Sequence, residues 1–77
     1  MIEVGDEVGW LWIGSLTTGF VLEIHPSRHE IISKGKHIAR NGSKDDPSLV
    51  IRHKNGSLVL KLLHEVQKIS SKETHQK

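Results

Sequence analysis

Cysteine and tyrosine are both absent from this chain of 77 residues. Without cysteine the chain has no disulfide framework, iron–sulfur cluster, thiolate zinc site or thiol nucleophile. Long apolar runs are missing as well, since no stretch approaches the ~20 residues that a membrane-spanning helix needs. The first seven residues lack the basic region and apolar run of a secretory signal. We therefore expect a cytoplasmic protein that makes no membrane contact.

Basic residues are scarce in the first half of the chain and acidic residues in the second. Residues 1–33 hold five acids and one base, whereas residues 34–77 hold ten bases and four acids. The asymmetry indicates either an anionic partner for the second half or a solvated outer face. A chain this short has room for one small domain and none for a separate catalytic lobe. We expect a protein that is not an enzyme.

Apolar residues recur mostly at every second position, and Gly, Asn, Asp and Pro interrupt them at short intervals. This pattern predicts several short antiparallel strands. Strands are predicted over residues 7–12 and 20–25, with a loop over 13–19, and Pro26 ends the second strand because it cannot donate to a ladder. A hairpin over residues 30–40 turns at Lys34-Gly35 and sets Ile31 opposite Ile38.

The pair Asn55-Gly56 predicts a second hairpin. Asn-Gly is favoured at the two positive-φ positions of a type I′ turn. A two-residue turn there pairs His53 with Leu58 and places Ile51 opposite Leu60 in the core.

The end of the domain is predicted from the spacing of Leu62, Leu63, Val66 and Ile69, which fits one short helical turn. Residues 70–77 contain no apolar side chain, so we expect residues 1–69 to form the domain and 70–77 a disordered tail. The whole chain is predicted to be all-β, a small and strongly bent five-stranded SH3-like barrel with a C-terminal helical turn. An OB-like barrel is the alternative.

Several segments resemble the hypervirulence-associated Tudor-like domain family over about residues 2–69. The most specific is the block Arg40-Asn41-Gly42-Ser43-Lys44-Asp45-Asp46-Pro47, followed by Val59-Leu60-Lys61-Leu62. Gly5-Asp6-Glu7-Val8 and Gly19-Phe20-Val21 also match, although they occur in unrelated SH3-like barrels. What the resemblance implies is a Tudor-like barrel.

An aromatic surface is the first candidate site. Alternation along the first strand puts Trp10 and Trp12 on one face, with Phe20 nearby. Three rings are few for a methyl-lysine or methyl-arginine cage, so the alternatives are a stacking platform and a plain cap on the barrel end. We expect a protein or peptide partner to bind at the two tryptophans and at the loop of Asp45 and Asp46. That loop is equally typical of a structural turn.

The second candidate is a nucleic-acid surface on the basic hairpins. Phosphate contacts from such a stripe, with Trp12 as a stacking platform, would give weak and salt-sensitive binding. A solvated outer face is the alternative. The residues of this surface are Lys34, Lys36, Arg40, Arg52, Lys54 and Lys61.

Catalytic and metal sites are not expected. Adjacent carboxylates such as Asp45 and Asp46 point apart, and no nucleophile accompanies them. His25 and His29 could meet across the turn at Pro26, but a structural zinc site requires four ligands. The sequence therefore predicts no cofactor, no metal and no catalytic residue.

Overall fold

The computed structural model describes residues 2–70. Among these residues, seven strands follow one another, and one 3-10 turn, Leu63–Glu65, lies before the last of them. The strands are β1 (Glu7–Trp12), β2 (Ser15–His25), β3 (Arg28–Ser33), β4 (Lys36–Asn41), β5 (Ser48–His53), β6 (Leu58–Leu62) and β7 (Gln67–Ser70). The prediction of an all-β fold is confirmed.

Five strands form one antiparallel sheet in the order β6-β5-β2-β1-β7, and β3 and β4 form a separate hairpin. The long strand β2 belongs to two pairings, because its first half pairs with β1 and its second half with β5. A bulge between Val21 and Glu23 bends β2 within the part that pairs with β5. The buried core on the inner face consists of Val8, Trp10, Val21, Leu49 and Ile51.

Close backbone packing at Gly19 holds β2 against β5. A Cβ atom on this residue would lie 2.6 Å from the carbonyl oxygen of Arg52. Only glycine fits so near a neighbouring backbone.

The expected count of five strands is corrected to seven. The predicted loop over 13–19 is wrong, because Ile13 and Gly14 alone make the turn between Trp12 and Ser15. Both residues have positive φ, 49° and 79°, which is the backbone of a two-residue type I′ turn. The second strand therefore begins at Ser15 instead of Phe20.

The hairpin at Lys34-Gly35 agrees with the prediction, since Ile31 lies opposite Ile38. The other predicted register is wrong by one residue. Ile51 pairs with Val59, and Leu60 pairs with Val50. The cause is the turn, which has three residues instead of two.

That turn is closed by the N–H of Gly56 donating to the carbonyl of His53 at 2.8 Å. Gly56 has a φ of 94°, whereas Asn55 is not in the positive-φ region. A type I turn followed by one left-handed residue is the usual three-residue hairpin. The Asn55 carboxamide oxygen stabilises it by accepting from the N–H of Ser57 at 2.9 Å.

The predicted terminal helical turn is present but short, and the chain then continues as strand β7 against β1. Ser70 ends this strand opposite Glu7, so the ordered domain includes a residue that was assigned to the tail. Residues 71–77 of the predicted tail lie outside the described residues.

Lys68 of β7 contacts the buried carboxylate of Asp6 at 3.3 Å. Within residues 2–70, no helix is long and apolar enough to cross a membrane.

Candidate functional site

A groove of about 560 Å³ runs between strand β6 and the β3–β4 hairpin. One wall is formed by Leu58, Val59 and Leu60 of β6, and the other by Ser33 and Ile38 of the hairpin. The bend of the main sheet and the short turn at Lys34-Gly35 bring these distant segments together. We call this feature the β6 groove.

Four cations line the β6 groove, and all four were predicted for the nucleic-acid surface: Lys34, Lys36, Arg40 and Lys61. Within residues 2–70, neither Lys34 nor Lys36 has an ion-pair partner. Both are exposed. The groove therefore offers uncompensated positive charge to an anionic ligand.

Trp10 and Trp12 line the same groove. Trp10 is 5% exposed and belongs to the core, while Trp12 is 61% exposed. The Nζ of Lys61 lies 6.0 Å from the Trp10 ring centroid, within reach of a cation–π interaction. The structure thus brings together in one groove the two tryptophans of the predicted peptide site and four cations of the predicted nucleic-acid surface, to which Trp12 was also assigned.

Phe20 is not part of this surface. It lies opposite Glu7 in the β1–β2 ladder, whereas Trp10 lies opposite Thr17. Successive residues of a strand face opposite sides, so Phe20 occupies the other face from the tryptophans. The three rings do not converge, and they form no aromatic cage.

Asp45 and Asp46 lie outside the β6 groove. Asp46 is held by His64, whose backbone N–H donates to one carboxylate oxygen at 2.9 Å and whose Nδ1 lies 2.7 Å from the other. The hydrogen bond with the His64 ring contributes most, and that from the His64 backbone N–H comes second. Together they hold the pKa of Asp46 below its usual value. Asp45 is exposed. The loop serves as a structural clip for the 3-10 turn.

Arg40 pairs with Glu65 and not with an acid of this loop. Its Nε lies 3.5 Å from Glu65 Oε1, which also accepts from the N–H of Leu62 at 2.8 Å. Partial burial alone would raise the pKa of Glu65, but the Leu62 N–H and the charges of Arg40 and Lys61 lower it below its usual value. An ionised Glu65 offsets part of the positive charge at this end of the groove.

Arg52 and Lys54, the other two predicted cations, do not line the β6 groove. Arg52 pairs with Phe20 on one side and Leu58 on the other, and it is exposed. Lys61 lies opposite Leu49 instead, so the two cations occupy opposite faces of their hairpin. The predicted two-residue turn would have placed Arg52 and Lys61 on one face, and the register of the three-residue turn separates them.

Strand β6 is the outer strand of its sheet, and its backbone faces the groove. The Leu58 carbonyl accepts from Ser33 Oγ at 2.8 Å, and the Leu62 N–H donates to Glu65 Oε1, so the backbone groups of both leucines point away from β5. In an antiparallel ladder every second residue points the same way. The N–H and C=O of Leu60 therefore point away from β5 as well, but the whole residue is 1% exposed, so these groups are covered. No sequence pattern indicates this outer strand, because only the topology leaves β6 with a paired strand on one side alone.

The tip of the β1–β2 hairpin is exposed and apolar. Leu11, Trp12, Ile13 and Leu16 are 74%, 61%, 86% and 54% exposed, respectively. Ile13 also has a φ of 49°, a conformation that β-branched residues rarely adopt. Trp12 joins this apolar tip to the β6 groove.

A third group of side chains lies away from the groove. Glu23, His25 and His29 offer ligand atoms that all lie within 4.8 Å of one another. His25 and His29 do meet across the turn at Pro26, as the sequence allowed. Within residues 2–70, no other group of three or more His or carboxylate side chains comes this close.

One family model matches the chain. It is described as the Tudor domain of hypervirulence associated proteins, and it covers residues 5–66. The matched range includes the β6 groove, the clip at Asp46 and the histidine pair. No significant match was found among curated proteins or among solved structures.

Proposed function

Because the chain belongs to the hypervirulence-associated Tudor domain family, and because such domains are small binding modules, we propose that it is a non-enzymatic adaptor that binds an acidic, extended segment of a protein partner in the β6 groove. The observation that carries the proposal is the meeting of an outer strand, four cations and an exposed tryptophan in one groove. A cytoplasmic location remains a prediction of the sequence.

The groove along β6 favours an extended peptide ligand. An extended peptide points alternate side chains to opposite sides, so one set of them can face the groove. The edge of β6 is covered at Leu60, which is 1% exposed, so side chains make the contacts. Acidic side chains on one side of the peptide would reach Lys34 and Lys36, which have no ion-pair partner among residues 2–70.

The apolar tip gives the peptide a second contact. Trp12 is continuous with both the groove and the tip, so an apolar residue next to the acidic stretch would pack on its ring. Exposed apolar patches of this kind mark interaction sites more often than isolated exposed residues do. The expected motif is therefore an acidic strand flanked by an apolar side chain.

Single-stranded nucleic acid is the second candidate, because four cations beside an exposed tryptophan also suit a phosphate backbone with a stacked base. One observation weakens it, because Arg52 and Lys54 of the predicted nucleic-acid surface lie outside the groove. The two ligands are distinguished by experiment.

The test measures binding of two labelled probes, a short peptide of alternating Glu and Val residues and a short thymidine single strand, by fluorescence anisotropy. The proposal expects the peptide to bind and the charge reversal Lys34→Glu with Lys36→Glu to weaken binding at least tenfold, on the order of the energy of two charge pairs. The matched control is Arg52→Glu with Lys54→Glu. It changes net charge equally but outside the groove, and it should leave binding nearly intact.

Binding of the thymidine strand and not of the peptide would support the second candidate. Equal loss in both charge-reversal variants would contradict the groove as the site.

A further inference from the structure

The end of β2 and the start of β3 bring two histidines and one glutamate together. Glu23 and His25 are two residues apart on β2, so they share one face of the strand. Pro26 ends the strand, and the chain reverses within two residues to begin β3 at Arg28. His29 is thereby folded back onto His25.

The geometry of this cluster is close. The Nε2 atoms of His25 and His29 lie 2.8 Å and 3.8 Å from the same oxygen, Glu23 Oε1. The two imidazole rings are stacked, with centroids 3.7 Å apart and planes 9° from parallel. Two ring nitrogens and a carboxylate oxygen thus lie within 4.8 Å of one another. Because an imidazole lone pair lies in the plane of its ring, one ring must rotate out of the stack for both nitrogens to bind the same ion.

A divalent ion can bind all three groups, since neutral imidazole nitrogens and an ionised carboxylate are metal ligands. The ligand separations suit it. Zinc bonds of 2.0–2.1 Å in a tetrahedral site set neighbouring ligand atoms roughly 3.4 Å apart, and the separations of 2.8 Å and 3.8 Å lie on either side of that value.

We propose that Glu23, His25 and His29 form a binding site for a divalent transition-metal ion of the zinc class. Imidazole nitrogen with one carboxylate is the donor set that zinc, nickel and copper prefer over calcium and magnesium. Three protein ligands leave a coordination position open to water or to a side chain of a partner. This proposal replaces the sequence-based expectation of no metal, which assumed that four protein ligands are required.

The side chains are accessible and yet partly sheltered. His25 and His29 are 32% and 29% exposed, and Glu23 is 57% exposed. An ion can therefore reach the site from solvent without opening the fold. The site adjoins the turn between β2 and β3, so an ion bound there would also tie the β3–β4 hairpin to the main sheet.

The domain offers a matched control on the neighbouring hairpin. His37 Nε2 lies 2.6 Å from Glu30 Oε1, so a second histidine–glutamate pair exists without a second histidine beside it. If any surface pair of this kind bound the ion, His37→Ala would matter as much as His25→Ala. If three converging ligands are needed, His37→Ala would not matter.

The experiment titrates ZnCl₂ into the untagged full chain by calorimetry, and repeats the titration with CoCl₂ while recording visible absorption. We expect one equivalent of Zn²⁺ to bind and the Co²⁺ complex to show the absorption of a low-coordinate site. His25→Ala and His29→Ala should each weaken binding at least about tenfold, since even the outer partners of metal ligands are worth that much. His37→Ala should leave the affinity unchanged.

Ring ¹H–¹⁵N spectra of the histidines provide a readout that does not depend on a mutation. Zn²⁺ should shift the Nε2 resonances of His25 and His29 and leave those of His37 in place. If His25→Ala or His29→Ala unfolds the domain, His25→Gln and His29→Gln take their place. Absence of saturable binding, or equal loss in the His37 variant, would overturn the proposal.

Discussion

The carboxylate of Asp46 holds His64 by two contacts, a backbone N–H at 2.9 Å and the ring Nδ1 at 2.7 Å. The two residues are eighteen positions apart. They join the loop before β5 to the 3-10 turn after β6. The pair therefore fixes where the chain leaves the main sheet to reach β7.

Acid should weaken this clip. The pKa of Asp46 lies below its ordinary value of 3.8, and that of Glu65 below its ordinary value of 4.5. Carboxylates with lowered pKa values contribute stability that is present above the ordinary values and is lost as pH falls through the lowered ones. We expect the free energy of unfolding of the wild-type domain to fall as pH drops below 4.5.

The comparison variant is Asp46→Asn with Glu65→Gln, which cannot titrate at these positions. Its stability should be lower than that of the wild-type domain at neutral pH and should decline less on acidification, as measured by urea midpoints over a pH series. Asp45→Asn removes an exposed neighbouring carboxylate and serves as the control. Parallel declines in the double variant and the wild-type domain would show that this pair of acids does not control acid stability.

The turn between β5 and β6 gives a second prediction. Gly56 has a φ of 94°, and a β-branched residue is strained there, so Gly56→Val should destabilise the domain by about 1–3 kcal/mol. Gly56→Asn should cost clearly less, because asparagine tolerates the left-handed region. The measurement is the denaturant midpoint of both variants. Equal losses would mean that side-chain bulk, and not backbone conformation, matters at this position.

The register error at this hairpin shows what the sequence can and cannot specify. The pair Asn55-Gly56 correctly predicted that a hairpin turns at this point, because turn chemistry is local. Whether the turn has two or three residues depends on which residues make the closing hydrogen bonds with His53, and here they are Gly56 and Ser57. The apolar pattern of the two strands fits both turn lengths. Leu60 is buried in both registers, so burial alone did not reveal the difference.

The β6 groove was harder to predict for a different reason. The sequence predicted Trp12 as a stacking platform for a surface that includes Lys36, but it did not predict the groove that joins them. Their meeting depends on the position of the β3–β4 hairpin beside an outer strand, which is a matter of long-range topology. Phe20 was wrongly grouped with the tryptophans. It belongs to the strand that pairs with that of Trp10, but its side chain lies on the other face of the sheet. The histidine pair was noticed because only the Pro26 turn separates its members.

Leu60 gives a third prediction. Its side chain is 1% exposed, so Leu60→Ala should cost about 2–5 kcal/mol and could unfold so small a domain. Leu11→Ala is the control, since Leu11 is 74% exposed. The free energy of unfolding, from urea titration, should change little in that control.

The same position also tests the register. Leu60 lies opposite Val50 and not Ile51, so a double-mutant cycle should show coupling of Leu60→Val with Val50→Ala. Residues in contact typically couple by about 0.5–3 kcal/mol. The cycle with Ile51→Val should give a smaller value. A larger coupling to Ile51 would favour the two-residue turn.

The last prediction concerns the strained tip of the β1–β2 hairpin. Ile13 is 86% exposed and has a φ of 49°, so it gains little from burial and carries the cost of a left-handed backbone, roughly 1–2 kcal/mol. Ile13→Asn should relieve much of that strain and raise the free energy of unfolding by about 1 kcal/mol. Ile13 belongs to the exposed apolar tip, where the proposed peptide makes its second contact, so its side chain should matter for binding and not for stability. The same variant should therefore bind the acidic Glu-Val peptide more weakly while its thermal midpoint rises.

Gly14→Ala, at the other positive-φ position of the turn, is the control and should lower stability instead. If Ile13→Asn raised stability and left peptide affinity unchanged, the tip would lie outside the binding surface, and the β6 groove alone would hold the peptide.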